Sequence, residues 1–185
     1  MPAIFLHSTF AYLINRLSPQ FSLPALLVGT LLPDVEVPIL YFLTDGTIDR
    51  LVFHSIIGAV TVGTFVSVAI VLIIYPHFVS FFFRIDKKDV EKKCRFSGTL
   101  FGLCMIGNLS HVLIDATHHE FNPLLYPIFK ESFNFLRISG DQSFDARIVT
   151  LVLSAILLVF VIDSLKNGVK GFWKQMLVGQ HSFNN

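Results

Sequence analysis

A chain of 185 residues that is 53% hydrophobic, carries 20 Phe and is only 15% charged has too little polar surface to cover a water-soluble domain of its length. Its mean hydropathy of +0.66 is that of an integral membrane protein, read here as a single membrane domain over 1–185. A net charge of +1 excludes nucleic acid as a partner, and the two cysteines, Cys94 and Cys104, lack the CxxC spacing of a redox or metal motif.

In chain order, 3–17 is a short apolar helix containing His7, ended by Ser18 and Pro19 and too short to span a bilayer upright. No basic region or small-residue cleavage site marks it as a removed signal. The stretch 21–43 is long enough, but Pro24, Gly29, Pro33 and Pro38 interrupt it, with Asp34 and Glu36 between the last two prolines, so its second half is expected to be broken. A polar turn at Asp45-Gly46 leads to 52–83, the strongest span, which His54 opens and Pro76 is expected to stop or kink. Gly58, one turn into it, is expected to let another helix approach. A basic loop, 84–95, precedes the span 96–118. A long connection rich in aromatics follows, then a last span over 146–166 and a lysine-bearing tail. The expected fold is therefore all-α, a polytopic membrane bundle of about five helices, one short and one broken.

Charge then sets the topology. Arg16, the six basic residues of 84–95, and Lys166, Lys170 and Lys174 put ten of the 14 Lys and Arg residues on one side, cytoplasmic by the positive-inside rule. The protein is thus expected in the cell (inner) membrane with the C-terminus inside. Arg50, Lys130, Arg137 and Arg147 fall outside. With that orientation His7, Asp34, His54, His111, Asp115 and His118 lie at similar depth near the outer face, although the charge count did not use them.

Ionisable residues in apolar spans are costly to insert and point to function. In GNLSHVLIDATHHE, Asp115 follows His111 by four residues and His118 by seven, so a helix turns all three to one face, while His119 points about 100° away. His118 is therefore favoured over His119. Asp34 sits where a helix break frees backbone groups, a common place for ions, and Glu36 is a candidate ligand or supporting base. His77 and His181 fall outside the constellation. There is no HExxH, GxSxG, P-loop or GxGxxG.

Three blocks, PAIFLHSTFAYL, ALLVGTLLPDVEVPIL and GNLSHVLIDATHH, resemble the YdjM-like membrane-bound metal-dependent hydrolases and a related uncharacterised prokaryotic membrane family, both thought similar to zinc-dependent phospholipase C. The likeness covers roughly the first two thirds of the chain and is specific in its GxLLPDxE and GxxSHxxxDxxTH elements. It implies metal ligands at His7, Asp34, His54, His111 and Asp115, with Glu36 and His118 accessory. Where YdjM-like members tend to show HRGxxHS, this chain has Asp49-Arg50-Leu51-Val52-Phe53-His54-Ser55, which leaves Asp49 as a candidate substitute ligand.

The expected activity is that of a membrane-embedded hydrolase acting on a lipid-type phosphoester, with membrane lipids as surroundings and substrate source. Histidines and aspartates without cysteine suit zinc, with manganese or iron as alternatives. Six or more candidate ligands exceed the three of a mononuclear catalytic zinc, so two ions bridged by Asp34 or Asp115 are expected as readily as one. Glu36 or Glu120 is the candidate general base. The competing expectation is a metal or proton transporter using the same residues.

Overall fold

The computed structural model describes residues 4–166 and 168–179; His181 lies outside them. It is all-α. A 3-10 turn, Ile4–His7, leads into α1, Ser8–Leu17. Helix α2, Leu23–Leu31, is capped by Ser22, whose side chain accepts from the Ala25 amide, and continues after a kink at Leu32 into α3, Pro33–Leu43. Helix α4 is the span Ile56–Phe83. Helix α5, Lys87–Lys93, precedes α6, Gly98–Ala116; α7, Gln142–Leu165, and α8, Gly168–Leu177, follow. Four helical stretches, Leu23–Leu43, α4, α6 and α7, are long and apolar enough to cross a membrane.

The expected break in the second span is confined to one residue. Leu32 keeps helical dihedrals (φ −60°, ψ −42°), and the lost hydrogen bond is the one that Pro33, with no N–H, cannot donate. Pro38 lies inside α3 without ending it. Pro76 does not stop α4 either: the preceding turns open into a π-helical stretch, Ile70–Ile74, which makes room for the proline ring. Two helices were not foreseen. In the basic loop Asp86 accepts from the Lys88 amide and caps α5, and the tail folds into α8. Helix α7 starts at Gln142 because Asp141 accepts from the Ser143 and Phe144 amides.

The centre of the bundle is the contact of α2 with α6, which run in the same direction. It depends on two glycines. A Cβ on Gly29 would sit 2.5 Å from the Cys104 carbonyl oxygen, and one on Gly107 would sit 2.8 Å from that of Leu26. Both obstacles are backbone, so neither can swing aside. Around this seam Leu26, Val71, Leu100, Leu103 and Cys104 form the core. Gly29→Ala is expected to destabilise the protein by about 1–3 kcal/mol through overpacking, measured as a drop in melting temperature in detergent; an unchanged value would rule out the close seam. Gly58 does something different from what was expected. Its missing side chain makes room for the Val52 carbonyl of the preceding loop, 1.8 Å from where a Cβ would lie, and not for another helix.

Helix α1 lies beside α2 and also runs alongside α7: Thr9 donates to the Leu153 carbonyl, Tyr12 meets Phe160, and Arg16 pairs with Asp163. The two ends of the bundle differ. At one, Ser22 donates to the Lys93 carbonyl at 2.6 Å, Lys93 Nζ to that of Pro19 at 2.8 Å, and Lys174 Nζ to Asp89 at 2.7 Å. The basic stretch and α8 are therefore gathered at the same end. The histidine and carboxylate cluster occupies the other.

Candidate metal centre

Four pieces of backbone bring the cluster together. His7 is the last residue of the N-terminal 3-10 turn. Asp34 and Glu36 follow the kink on α3, and Arg50 and His54 come from the connection before α4. His111 and Asp115 stand one turn apart near the end of α6, with His118 and His119 just past it. All five histidines of the cluster are sealed, with His111 and His118 at 0% exposure and the others at 3 or 4%.

Asp115 is the hub. Its Oδ1 lies 3.3 Å from His7 Nε2 and 3.8 Å from the Nε2 atoms of both His118 and His119. Its Oδ2 lies 3.5 Å from His111 Nε2, 3.6 Å from His54 Nε2 and 3.6 Å from Arg50 Nε. Asp34 Oδ1 extends the second set, 3.7 Å from His111 Nε2. Neither oxygen of Asp115 accepts a hydrogen bond, although both are buried. The same holds for Asp34 Oδ2 and the Nε2 atoms of His54, His111 and His118. Buried polar groups are normally satisfied, so this many orphans in one place require an explanation.

The other ring nitrogens supply it. His111 Nδ1 donates to the Thr30 carbonyl at 2.8 Å, in the turn that Pro33 disrupts, and His118 Nδ1 donates to the Ile114 carbonyl at 3.0 Å. His54 Nδ1 donates to Glu36 at 3.0 Å. A carbonyl or carboxylate partner forces the proton onto Nδ1, so in the neutral ring each Nε2 is a bare lone pair aimed into the cluster. Outer hydrogen bonds of this kind fix the tautomer and direction of metal-ligating histidines. Two ligands held about 2.1 Å from one tetrahedral ion lie roughly 3.4 Å apart. The separations of 3.3 to 3.8 Å around Asp115 are close to that and longer than good hydrogen bonds. Three overlapping sets, His7/His111/Asp115, Asp34/His54/His111 and Asp115/His118/His119, could each hold a metal ion. Burial, above all, and the neighbouring histidines push His7 down to about 3; burial likewise brings His119 to about 3 and lowers His118. These rings stay neutral at physiological pH, the form in which imidazole binds metal.

All six residues read from the sequence as ligands are brought together, and so is His119. The helical-face argument that set His119 aside presumed a continuing helix. The helix instead ends at Ala116, and the amides of His118 and His119 both fold back onto the Asp115 carbonyl, at 3.1 and 3.0 Å, which turns both rings over the same carboxylate. Glu36 does not face the hub. Its two oxygens accept from the consecutive amides of Leu51, Val52 and Phe53 as well as from His54, so it clamps the loop that carries His54. Glu120 is exposed and contributes only its carbonyl, to Ser132, so it is not placed to act as a base on this cluster. Asp49 makes no contact with the cluster among the described residues. Arg50 was counted only as an outer-side charge. Its place beside Asp115 had one available signal, its position within the Asp49-to-Ser55 block that ends in His54.

Among known families, the model described as YdjM inner membrane protein matches residues 3–175. No curated protein and no solved structure matches the chain significantly. With nearly the whole chain covered, the chain belongs to the YdjM inner membrane protein family.

Proposed function

From that membership and the donor cluster, we propose that the protein is a membrane-embedded metal-dependent hydrolase in which Asp115 and the donors around it would hold two divalent cations, with a lipid-type phosphoester as substrate. The observation that carries this reading is the ring of buried, unpartnered Nε2 and carboxylate atoms, each histidine but His7 and His119 held from behind by its Nδ1. They fall into two groups. His7, His118 and His119 face Asp115 Oδ1, whereas His54 and His111, with Asp34 alongside, face Oδ2.

Each group offers three side chains besides an oxygen of Asp115, donor types suited to zinc, with manganese or iron as alternatives; a catalytic ion would use three of these donors and keep a position for water. Divalent cations held there supply Lewis-acid polarisation of a phosphoryl oxygen and activate water for attack. The chain's own work is to hold the ligands and fix their tautomers, with Glu36 orienting His54 through its loop. In this reading the basic end is cytoplasmic by the positive-inside rule, and the buried site lies toward the outer leaflet boundary, where lipid headgroups lie. A transport path through the same residues is disfavoured by what lies beneath. Beyond the cluster the buried polar side chains Asn108, Ser67 and Thr64 give way to the apolar core of Leu26, Val71, Leu100 and Leu103.

Elemental analysis of the purified protein is expected to find about two ions per chain. Chelation is expected to abolish hydrolysis of a phospholipid in mixed micelles, and returning the metal to restore it. Background metal content would overturn the proposal.

A further inference from the structure

We propose that Arg50 is an oxyanion subsite of this centre, built to take a phosphate group, an inference that rests on the cations being bound as just described. Arg50 is 5% exposed, yet no hydrogen bond from its guanidinium to any described residue is present, and its Nε is buried without an acceptor. Arginine buried to that extent is ordinarily matched by a carboxylate or carbonyl in hydrogen-bonding contact. Here no carboxylate among the described residues is in hydrogen-bonding contact with it. Glu36 is taken up by three amides and His54, and Asp34 turns to His111. Asp115 Oδ2, at 3.6 Å, is beyond a good hydrogen bond and faces His54 and His111 as well.

Cations at the cluster would take up the charge of Asp115 and leave the guanidinium without a counter-ion. A tetrahedral oxyanion answers both needs, since its oxygens can face cations and guanidinium together. Arginine presents its donors as a planar fork that matches phosphate in two parallel hydrogen bonds, which lysine cannot do. The residue is also rigidly placed. The three amides that follow it in sequence are the ones Glu36 clamps, so the backbone that carries Arg50 is fixed against α3. The shared chemistry is a phosphate group, either on a lipid headgroup or free in solution.

The test measures metal content and anion binding separately on the full chain. Metal-loaded wild-type protein is titrated with inorganic phosphate in detergent and, reconstituted in nanodiscs, with phosphatidic acid against a phosphatidylcholine background. Arg50→Gln is expected to keep the wild-type number of ions per chain and to weaken phosphate binding at least tenfold. Arg50→Lys, which keeps the charge and loses the fork, is expected to fall between them. Binding of phosphatidic acid but not inorganic phosphate assigns the subsite to a lipid headgroup; the converse assigns it to a soluble phosphate. The proposal is overturned if wild-type protein binds neither probe, if Arg50→Gln binds as tightly as wild type, or if Arg50→Gln loses its metal, which would make Arg50 a support for Asp115. Should Arg50→Gln fail to fold, unchanged phosphate affinity in Arg50→Lys overturns it equally. A wild-type protein that lacks metal but still binds phosphate through Arg50 would instead sink the hydrolase reading and leave the subsite standing.

Discussion

With two ions held as proposed, Asp115→Asn is expected to empty the site of both, whereas Asp34→Ala is expected to remove only one. The amide is nearly the same size as the carboxylate, so packing at this 4%-exposed position changes little, but the negative charge and one of the two acceptor oxygens are lost. Both oxygens matter, because Oδ1 faces His7, His118 and His119 while Oδ2 faces His54 and His111. Asp34 touches only the second set, through His111. Removing an outer-shell partner of a metal ligand costs about 10–100-fold in affinity, and loss of the shared anionic ligand itself is expected to exceed that range for each ion. Ions per chain by elemental analysis, after dialysis against a weak chelator, read the result directly. If Asp115→Asn retains one tightly held ion, the carboxylate does not bridge. If Asp34→Ala loses both, the two groups are not separate.

How much of this centre can be read from sequence depends on whether a local rule governs each residue. His111 and Asp115 are four apart within a regular helix, so the 3.6-residue repeat alone brings them together. Pro33 announces the kink, and the charge bias of the loops brings His7, Asp34 and His54 to the same end of the bundle before any contact is known. Where the helix would end was not local information. The last turn of α6 stops at Ala116 and tightens, with the Asp115 carbonyl accepting from the amides of both His118 and His119, and this tightened end brings in His119. The role of Glu36 was hidden for a related reason. Its partners are backbone amides fifteen to seventeen residues away, and amides have no sequence signature. Arg50 looked like one more loop charge, since only the closed loop turns it inward. The fold was easier, because apolar length specifies a spanning helix almost regardless of its neighbours. The exceptions, α5 and the capped start of α7, depend on the short-range chemistry of Asp86 and Asp141.

Glu36→Gln provides the second large effect, and it separates positioning from proton transfer. Four donors converge on this carboxylate. Oε1 accepts from Val52 at 2.7 Å and Phe53 at 3.2 Å; Oε2 accepts from Leu51 at 3.1 Å, Phe53 at 3.1 Å and His54 Nδ1 at 3.0 Å. Glutamine has one oxygen and one NH2 group, so whichever way it is turned a donor faces donors. With the NH2 group at the Oε1 position, the Val52 amide loses its acceptor and Phe53 keeps only the oxygen at the Oε2 position. At the Oε2 position, Leu51 and His54 lose theirs. Each buried donor left unmade costs about 1–3 kcal/mol, so the melting temperature is expected to fall markedly. His54 also loses the partner that keeps its proton on Nδ1, and affinity for the ion on the Oδ2 side of Asp115 is expected to fall about 10–100-fold, the range for an outer-shell partner. Competition with a chelator of known affinity measures the second effect and a thermal scan the first. A variant that melts like wild type and holds both ions as tightly, yet turns over slowly, would return Glu36 to the role of general base. Because all of its lone pairs are already engaged in holding the loop, the expected outcome is the loosened ion.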